Sequence, residues 1–170
     1  MVLETAANYA DVISGIAVVV SLIYVGIKVN HGTSAIRSSA ANDASVAMQS
    51  WYLEMGTNRQ ASDIWFNALT SPNPLETHDE FQFMMMMHAV LLGMQNSYLL
   101  SREGTLDEEF REAVTTAIVA VKDLPGMNRC WSQRRGFFHS EFAEYIDDLL
   151  LQDSIETLDM YKRPDSGPDQ

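Results

Sequence analysis

One cysteine, Cys130, stands among 170 residues. No intrachain disulfide can form, so a disulfide-dense secreted scaffold is excluded, and a lone thiol fits a reducing compartment. Basic residues are scarce, 11 Lys and Arg against 23 Asp and Glu, for a formal net charge of −12. A surface that acidic repels phosphate backbones, so nucleic acid is not an expected partner. It also disfavours flat adsorption on anionic lipid. The sequence holds no Gly-rich phosphate loop, no G-x-S-x-G and no C-x-x-C. Gly104, Gly126 and Gly136 stand singly where helices should end. No alternating strand pattern of useful length and no internal repeat occurs, which makes the class all-α.

What the sequence has is one long apolar run near its start, "DVISGIAVVVSLIYVGIK". Between Asp11 and Lys28 nothing ionises except the Tyr24 hydroxyl. Residues 12–27 as a helix cover roughly 24 Å, close to a hydrocarbon core of about 30 Å once the flanks are added. Lys28 can snorkel its ammonium to the interface, and Tyr9 and Tyr24 fall where interfacial aromatics sit. The leader "MVLETAANYAD" has Glu4 and Asp11 but no Lys or Arg, unlike an export signal. A buried core helix competes with a membrane span. The β-branched Val18, Val19, Val20, Ile23 and Val25 surround the helix, however, and the rest of the chain has little material to enclose it. A transmembrane helix is therefore expected. Lys28 and Arg37 follow it, which puts the N-terminus outside and the remainder in the cytoplasm.

Small and polar residues recur every third or fourth position: Ala10, Ser14, Ala17, Ser21, Tyr24 and Lys28, continuing through His31 to Gln49. The opposite side of the span is Val and Ile. Such a face admits a second helix closely, through the small-xxx-small pairs Ala10/Ser14 and Ala17/Ser21. Ser14, Ala17, Ser21, Tyr24 and Lys28 are thus candidate helix-packing residues of a homo-oligomer embedded in membrane lipid. The alternative is a homo-oligomeric pore lined by Ser14, Ser21 and Lys28, whose ammonium ring would favour anions. The seam predicts one long helix to about Met55, stopping at Gly56.

Residues 1–57 form this helix and its extension, 58–152 a cytoplasmic helical bundle, and 153–170 a polar tail. "RQASDIWFNALTS" reads as a short helix closed by Pro72 and Pro74. "THDEFQFMMMMHAVLLGMQNSYLLSREG" reads as a long helix, with Thr77 and Glu80 as a capping box and Gly104 as its end. "TLDEEFREAVTTAIVAVKDLPG" begins on acids that suit the macrodipole and is expected to stop at Pro125-Gly126. "MNRCWSQRRGFF" is a shorter helix or turn. A last helix begins at Ser140, with Phe142, Ile146, Leu149 and Leu150 on one face.

Little here points to chemistry. No catalytic residue, metal site or cofactor is predicted. The methionines at 84–87 point around a helix rather than at one metal and read as core filling. His88 reads as a core histidine; a cofactor or metal site using His88 and the neighbouring methionines is a second alternative. Arg129, Arg134 and Arg135, with Trp131, Phe137 and Phe138, form the one basic-aromatic cluster. They are candidate contacts for an anionic group or acidic partner, unless the arginines pair with the chain's own acids.

"ISGIAVVVSLIYVGIKVNHGTSAIRSS" resembles the opening of a group of uncharacterised bacterial proteins that carry an SLIYVG-type apolar segment. "NSYLLSREGTLDEEF" and "LPGMNRCWSQRRGFFHSEFAEYIDDLL" resemble the same group, so the likeness covers most of the chain. It departs at "KVNHGTSAIR", where His31 and Gly32 are unusual. The resemblance implies an all-helical protein anchored in the bacterial inner membrane by a single span, and it carries over no catalytic residues. The expected role is a membrane-anchored, oligomeric interaction or scaffold module without a reaction; the sequence names no protein partner.

Overall fold

The computed structural model describes residues 2–153, with side chains from residue 17 onward other than those of residues 30 and 31. Every regular element among the described residues is helical: α1 (Val2–Thr57), α2 (Arg59–Thr70), α3 (Thr77–Arg102), α4 (Glu108–Val119), α5 (Pro125–Arg134), a 3-10 turn (Arg135–Phe137) and α6 (Ser140–Leu150). Most of the expected polar tail lies outside the described residues. The chain divides into two compact units, Met1–Ser39 and Ala40–Gln170. The division falls inside α1 because the last turns of that helix pack on α2, with the Trp51 and Trp65 rings edge to face at 4.7 Å.

The first unit is helix alone. Val18, Val19, Val20, Leu22, Ile23, Val25, Ile27 and Val29 are each half or more exposed, Leu22 at 66%. At 100° per residue these residues cover a broad face of the helix and leave clear only the narrow seam of Ala17, Ser21, Tyr24 and Lys28. The Lys28 ammonium rests over the Tyr24 ring, 5.9 Å from its centre, one turn back along the seam. The helix passes through Gly32 without a break. Among the described residues no helix is long and apolar enough to cross a membrane. The apolar run of residues 12–27 starts among residues whose side chains lie outside the description.

The second unit is a bundle around α3. Phe83, Met87, Leu91 and Met94 recur at three- and four-residue spacing and are almost wholly buried, the pattern of a helix that faces a core. Met84 is buried too, and Met85 and Met86 are half-buried against the same core, so all four consecutive methionines fill space around α3. On α4, Val114, Ile118 and Val119 close one side; on α6, Phe142, Ile146 and Leu149 close another. The buried Thr115 hydroxyl is satisfied: Thr115 Oγ1 and the Tyr145 hydroxyl share a hydrogen bond of 2.8 Å, which removes the cost of burying either alone.

Local signals place the helix ends. Asn58 caps α2 by accepting from the Ala61 N–H, and Asp107 caps α4 by accepting from the N–H groups of Glu109 and Phe110. Gly104 takes φ +70°, a conformation that glycine adopts without a Cβ clash, and α3 ends there. Two expected ends differ. The N-cap of α3 is Glu76, and Glu80 reaches past the helix start to accept from the Leu75 N–H at 2.9 Å instead of closing a box with Thr77. Its other carboxylate oxygen accepts from Arg129, and that non-local partner sets its direction. Pro125-Gly126 begins α5 rather than stopping α4, which ends at Val119. Proline at the first helical position loses no hydrogen bond and has the required φ.

The junction of α2 with α5 explains the glycine. A Cβ built on Gly126 would sit on the carbonyl oxygen of Ala68 and 2.5 Å from the Leu69 Cα. Backbone meets backbone there, and Ala68, Leu69 and Met127 are fully buried around it. Arg129, one turn on, ties the same surfaces together. It donates to the carbonyls of Ser71 (2.7 Å) and Ala68 (2.8 Å) at the C-terminal end of α2 and to Glu80 (3.2 Å) in the first turn of α3. A cation at those carbonyls also complements the negative end of α2.

Cys130 follows Arg129 and is fully buried. Burial pushes its thiol up to about 11, with Arg134 pulling it down and Glu80 pushing it further up. The unfolded thiol ionises near 9.0 and the folded one near 11. Between those values the folded state holds the proton and the unfolded state does not, so stability is full below pH 9 and falls as pH rises towards 11. The loss is about 2–3 kcal/mol. Urea unfolding of wild type and Cys130→Ala from pH 8 to 10.5 should show a steeper decline in wild type. Equal slopes would mean that the thiol is not held protonated.

Candidate functional site

Three places collect the candidate residues. On the first unit, Ala17 and Ser21 line a shallow groove walled by Val18, Leu22 and Val25. The groove exists because two small side chains, one turn apart, leave the helix surface low between larger neighbours. Tyr24 and Lys28 continue the same seam, joined by their cation–ring contact. Ser14 lies outside the residues whose side chains are described. The geometry suits close approach of a second helix.

The basic-aromatic cluster sits on α5 and the turn that follows. Arg129 directs its donors into the protein, as above, and its side chain is only 16% exposed. Arg135 donates through Nε (2.9 Å) and Nη2 (2.6 Å) to one oxygen of Asp147. The other oxygen of that carboxylate accepts from the Trp131 indole N–H at 2.8 Å. Arg135 holds the Asp147 carboxyl below the usual carboxylate range, against the opposing effect of burial, and the Trp131 N–H adds to the lowering. Arg134 lies over the Phe137 ring at 5.3 Å. Arg129 and Arg135 thus both have acidic partners within the chain. Asp147, which reads in the sequence as a solvated residue beside a leucine run, joins α6 to α5; nothing local to it signals Trp131 sixteen positions away.

The third place has no sequence signature. A pocket of about 300 Å³ opens between the last turns of α1 and the faces of α2, α3, α4 and α5, all within the second unit. Five methionines line it: Met48, Met55, Met87, Met94 and Met127. Trp51, Tyr52, Trp65 and Phe66 form its aromatic wall. No charged side chain lines it, and Ser62 and Tyr52 supply the only side-chain hydroxyls. Met87, Met94 and Met127 are almost completely buried and form the floor, whereas Tyr52 is 60% exposed at the mouth. Apolar lining with a few polar groups is the usual make-up of a small-molecule site. Sequence reasoning missed it because its residues come from five helices, and each methionine taken alone reads as core.

His88 lies on another face of α3. Its ring packs on Phe138 at 4.9 Å and meets Phe137 edge-on at 6.1 Å. Its buried Nδ1 has no hydrogen-bond partner among the described residues. No three His, Cys, Asp or Glu side chains converge as a metal site among the described residues. Comparison of the chain with protein-family models, with curated proteins and with solved structures found no match.

Proposed function

We propose that the protein is a membrane-anchored helical interaction module, held in lipid by the apolar part of α1 and assembled as a homo-oligomer through the small-residue face of that helix. The observation that carries this reading is the exposure of eight Val, Leu and Ile side chains between Val18 and Val29. Full burial of such a side chain stabilises by about 1.5–3 kcal/mol, so completing the burial of half-exposed ones adds roughly 1 kcal/mol each. A contiguous apolar surface of that kind requires a lipid or protein environment. In a bilayer the charge-free residues 12–27 meet acyl chains, and the Tyr24–Lys28 pair lies at the interface. The basic Lys28 and Arg37 after the apolar run, and the single thiol of Cys130, support a cytoplasmic side for the bundle.

The test is partitioning of the full-length chain. Wild type should stay in the membrane pellet through an alkaline carbonate wash and require detergent for extraction, whereas Val19→Glu/Ile23→Glu should leave the pellet. A wild-type chain that purifies as a detergent-free monomer overturns the anchor. In detergent, Ser21→Leu and Ala17→Leu should lower the assembly mass; an unchanged mass overturns the small-residue face as the interface.

A further inference from the structure

We propose that the pocket of the second unit is a binding site for a neutral, single-chain aliphatic molecule of about ten carbons with one hydroxyl or carbonyl end, an estimate scaled from the roughly 150 Å³ cavity that admits benzene. The pocket offers about twice that volume, 300 Å³. All of it lies in one compact unit, so the inference does not depend on the membrane reading.

Three features select the ligand class. The lining has no Lys, Arg, His, Asp or Glu, so a charged group drawn inside would be desolvated without a partner. The chain's net charge of −12 further opposes a carboxylate, whose approach it repels. Five methionines in one lining give a floor that can reshape, since unbranched thioether side chains have three rotatable bonds; such a floor follows a flexible chain better than it frames a rigid ring. The polar end has a place as well. Neither the Ser62 hydroxyl nor the Tyr52 hydroxyl has a hydrogen-bond partner among the described residues, and both line the pocket. A ligand hydroxyl or carbonyl at the rim can pair with either while its chain lies over Met87, Met94 and Met127.

The pocket contains its own reporter. Trp51 and Trp65 wall it, while Trp131 is held in the core by Asp147. The full-length chain, in aqueous buffer or, where that is needed to keep it dispersed, an amphipathic polymer, is titrated with 1-decanol, decane, decanoate at pH 8 and 2-naphthol, and tryptophan emission is followed. Decanol should give a saturable change and raise the melting temperature. Decanoate should bind at least about tenfold more weakly, because its charge must be desolvated. Ser62→Ala should weaken decanol about fivefold, the effect of one hydrogen bond, and leave decane unaffected. Ala117→Phe, which fills the pocket, should abolish the signal; Val90→Phe at the rim carries the same expectation should Ala117→Phe fail to fold. No saturable decanol signal, undiminished binding by a folded pocket-filling variant, or equal affinity for decanoate would each overturn the proposal. Tighter binding of 2-naphthol than of decanol would overturn the aliphatic assignment.

Discussion

Gly126→Ala should lower the unfolding free energy of the bundle by about 3 kcal/mol, the upper end for forcing extra volume into a packed interior. For a domain of this size that is a fall of roughly 10 °C in melting temperature. Alanine is the better helix former by up to about 1 kcal/mol, so propensity alone predicts the opposite sign. Steric exclusion wins because the obstacle is main chain: the added methyl meets the Ala68 carbonyl and the Leu69 Cα, and neither can rotate away. To admit it, α5 must back off from α2, which opens the packing of Met127 and strains the Arg129 hydrogen bonds. Gly93 supplies the control. It is exposed on α3 with nothing within 4 Å of a Cβ, so Gly93→Ala should stabilise by about 0.5–1 kcal/mol. Urea unfolding of both variants in one detergent, read by tryptophan emission, decides the matter. A Gly126→Ala protein as stable as wild type would show that the α2–α5 approach is looser than the structure has it.

Arg129→Met should cost about 3 kcal/mol, the range for removing one partner of a largely buried ion pair. The substitution keeps most of the stem volume, so the loss is electrostatic. Glu80 keeps only its bond from the Leu75 N–H, and the carbonyls of Ala68 and Ser71 lose their donor. Glu80→Gln should cost less, because an amide oxygen still accepts from Leu75 while the backbone carbonyls keep Arg129. The double variant should therefore be more stable than the two losses summed, by about 1–2 kcal/mol of coupling. Arg129→Lys should not rescue, since a single ammonium cannot reach three acceptors in the directions a guanidinium fork does. Strict additivity of the two single variants would show that Arg129 and Glu80 act separately. Arg129 reads in the sequence as a candidate for an external anion; the structure gives it three internal acceptors.

The membrane reading and the bundle rest on different kinds of information. The charge-free run ahead of Lys28 is legible residue by residue, and the exposure of Val18, Leu22 and their neighbours adds that these side chains are not part of a core. The helices of the bundle were legible as well. α2 ends before Pro72, α3 ends at Gly104 with its positive φ, and α6 begins at Ser140 with Phe142, Ile146 and Leu149 inward. Each of those signals acts within one or two turns. Pro125-Gly126 reads in the sequence as a stop, because a proline followed by glycine marks a helix end or a helix start equally well. Only the carbonyl of Ala68, 58 positions earlier, requires the second.

The sequence by itself determined that the chain is helical, where most of its helices begin and end, and that its first helix carries a broad apolar surface rich in β-branched residues. These follow from period, caps and charge, which are properties of neighbours along the chain. The tertiary structure alone decided that Arg129 clamps α2 to α3, that Asp147 joins Trp131 to Arg135, and that Met48, Met87 and Met127 line one pocket. Those pairings depend on how helices cross, and crossing is set by the summed shape of many side chains rather than by any short stretch that could announce it.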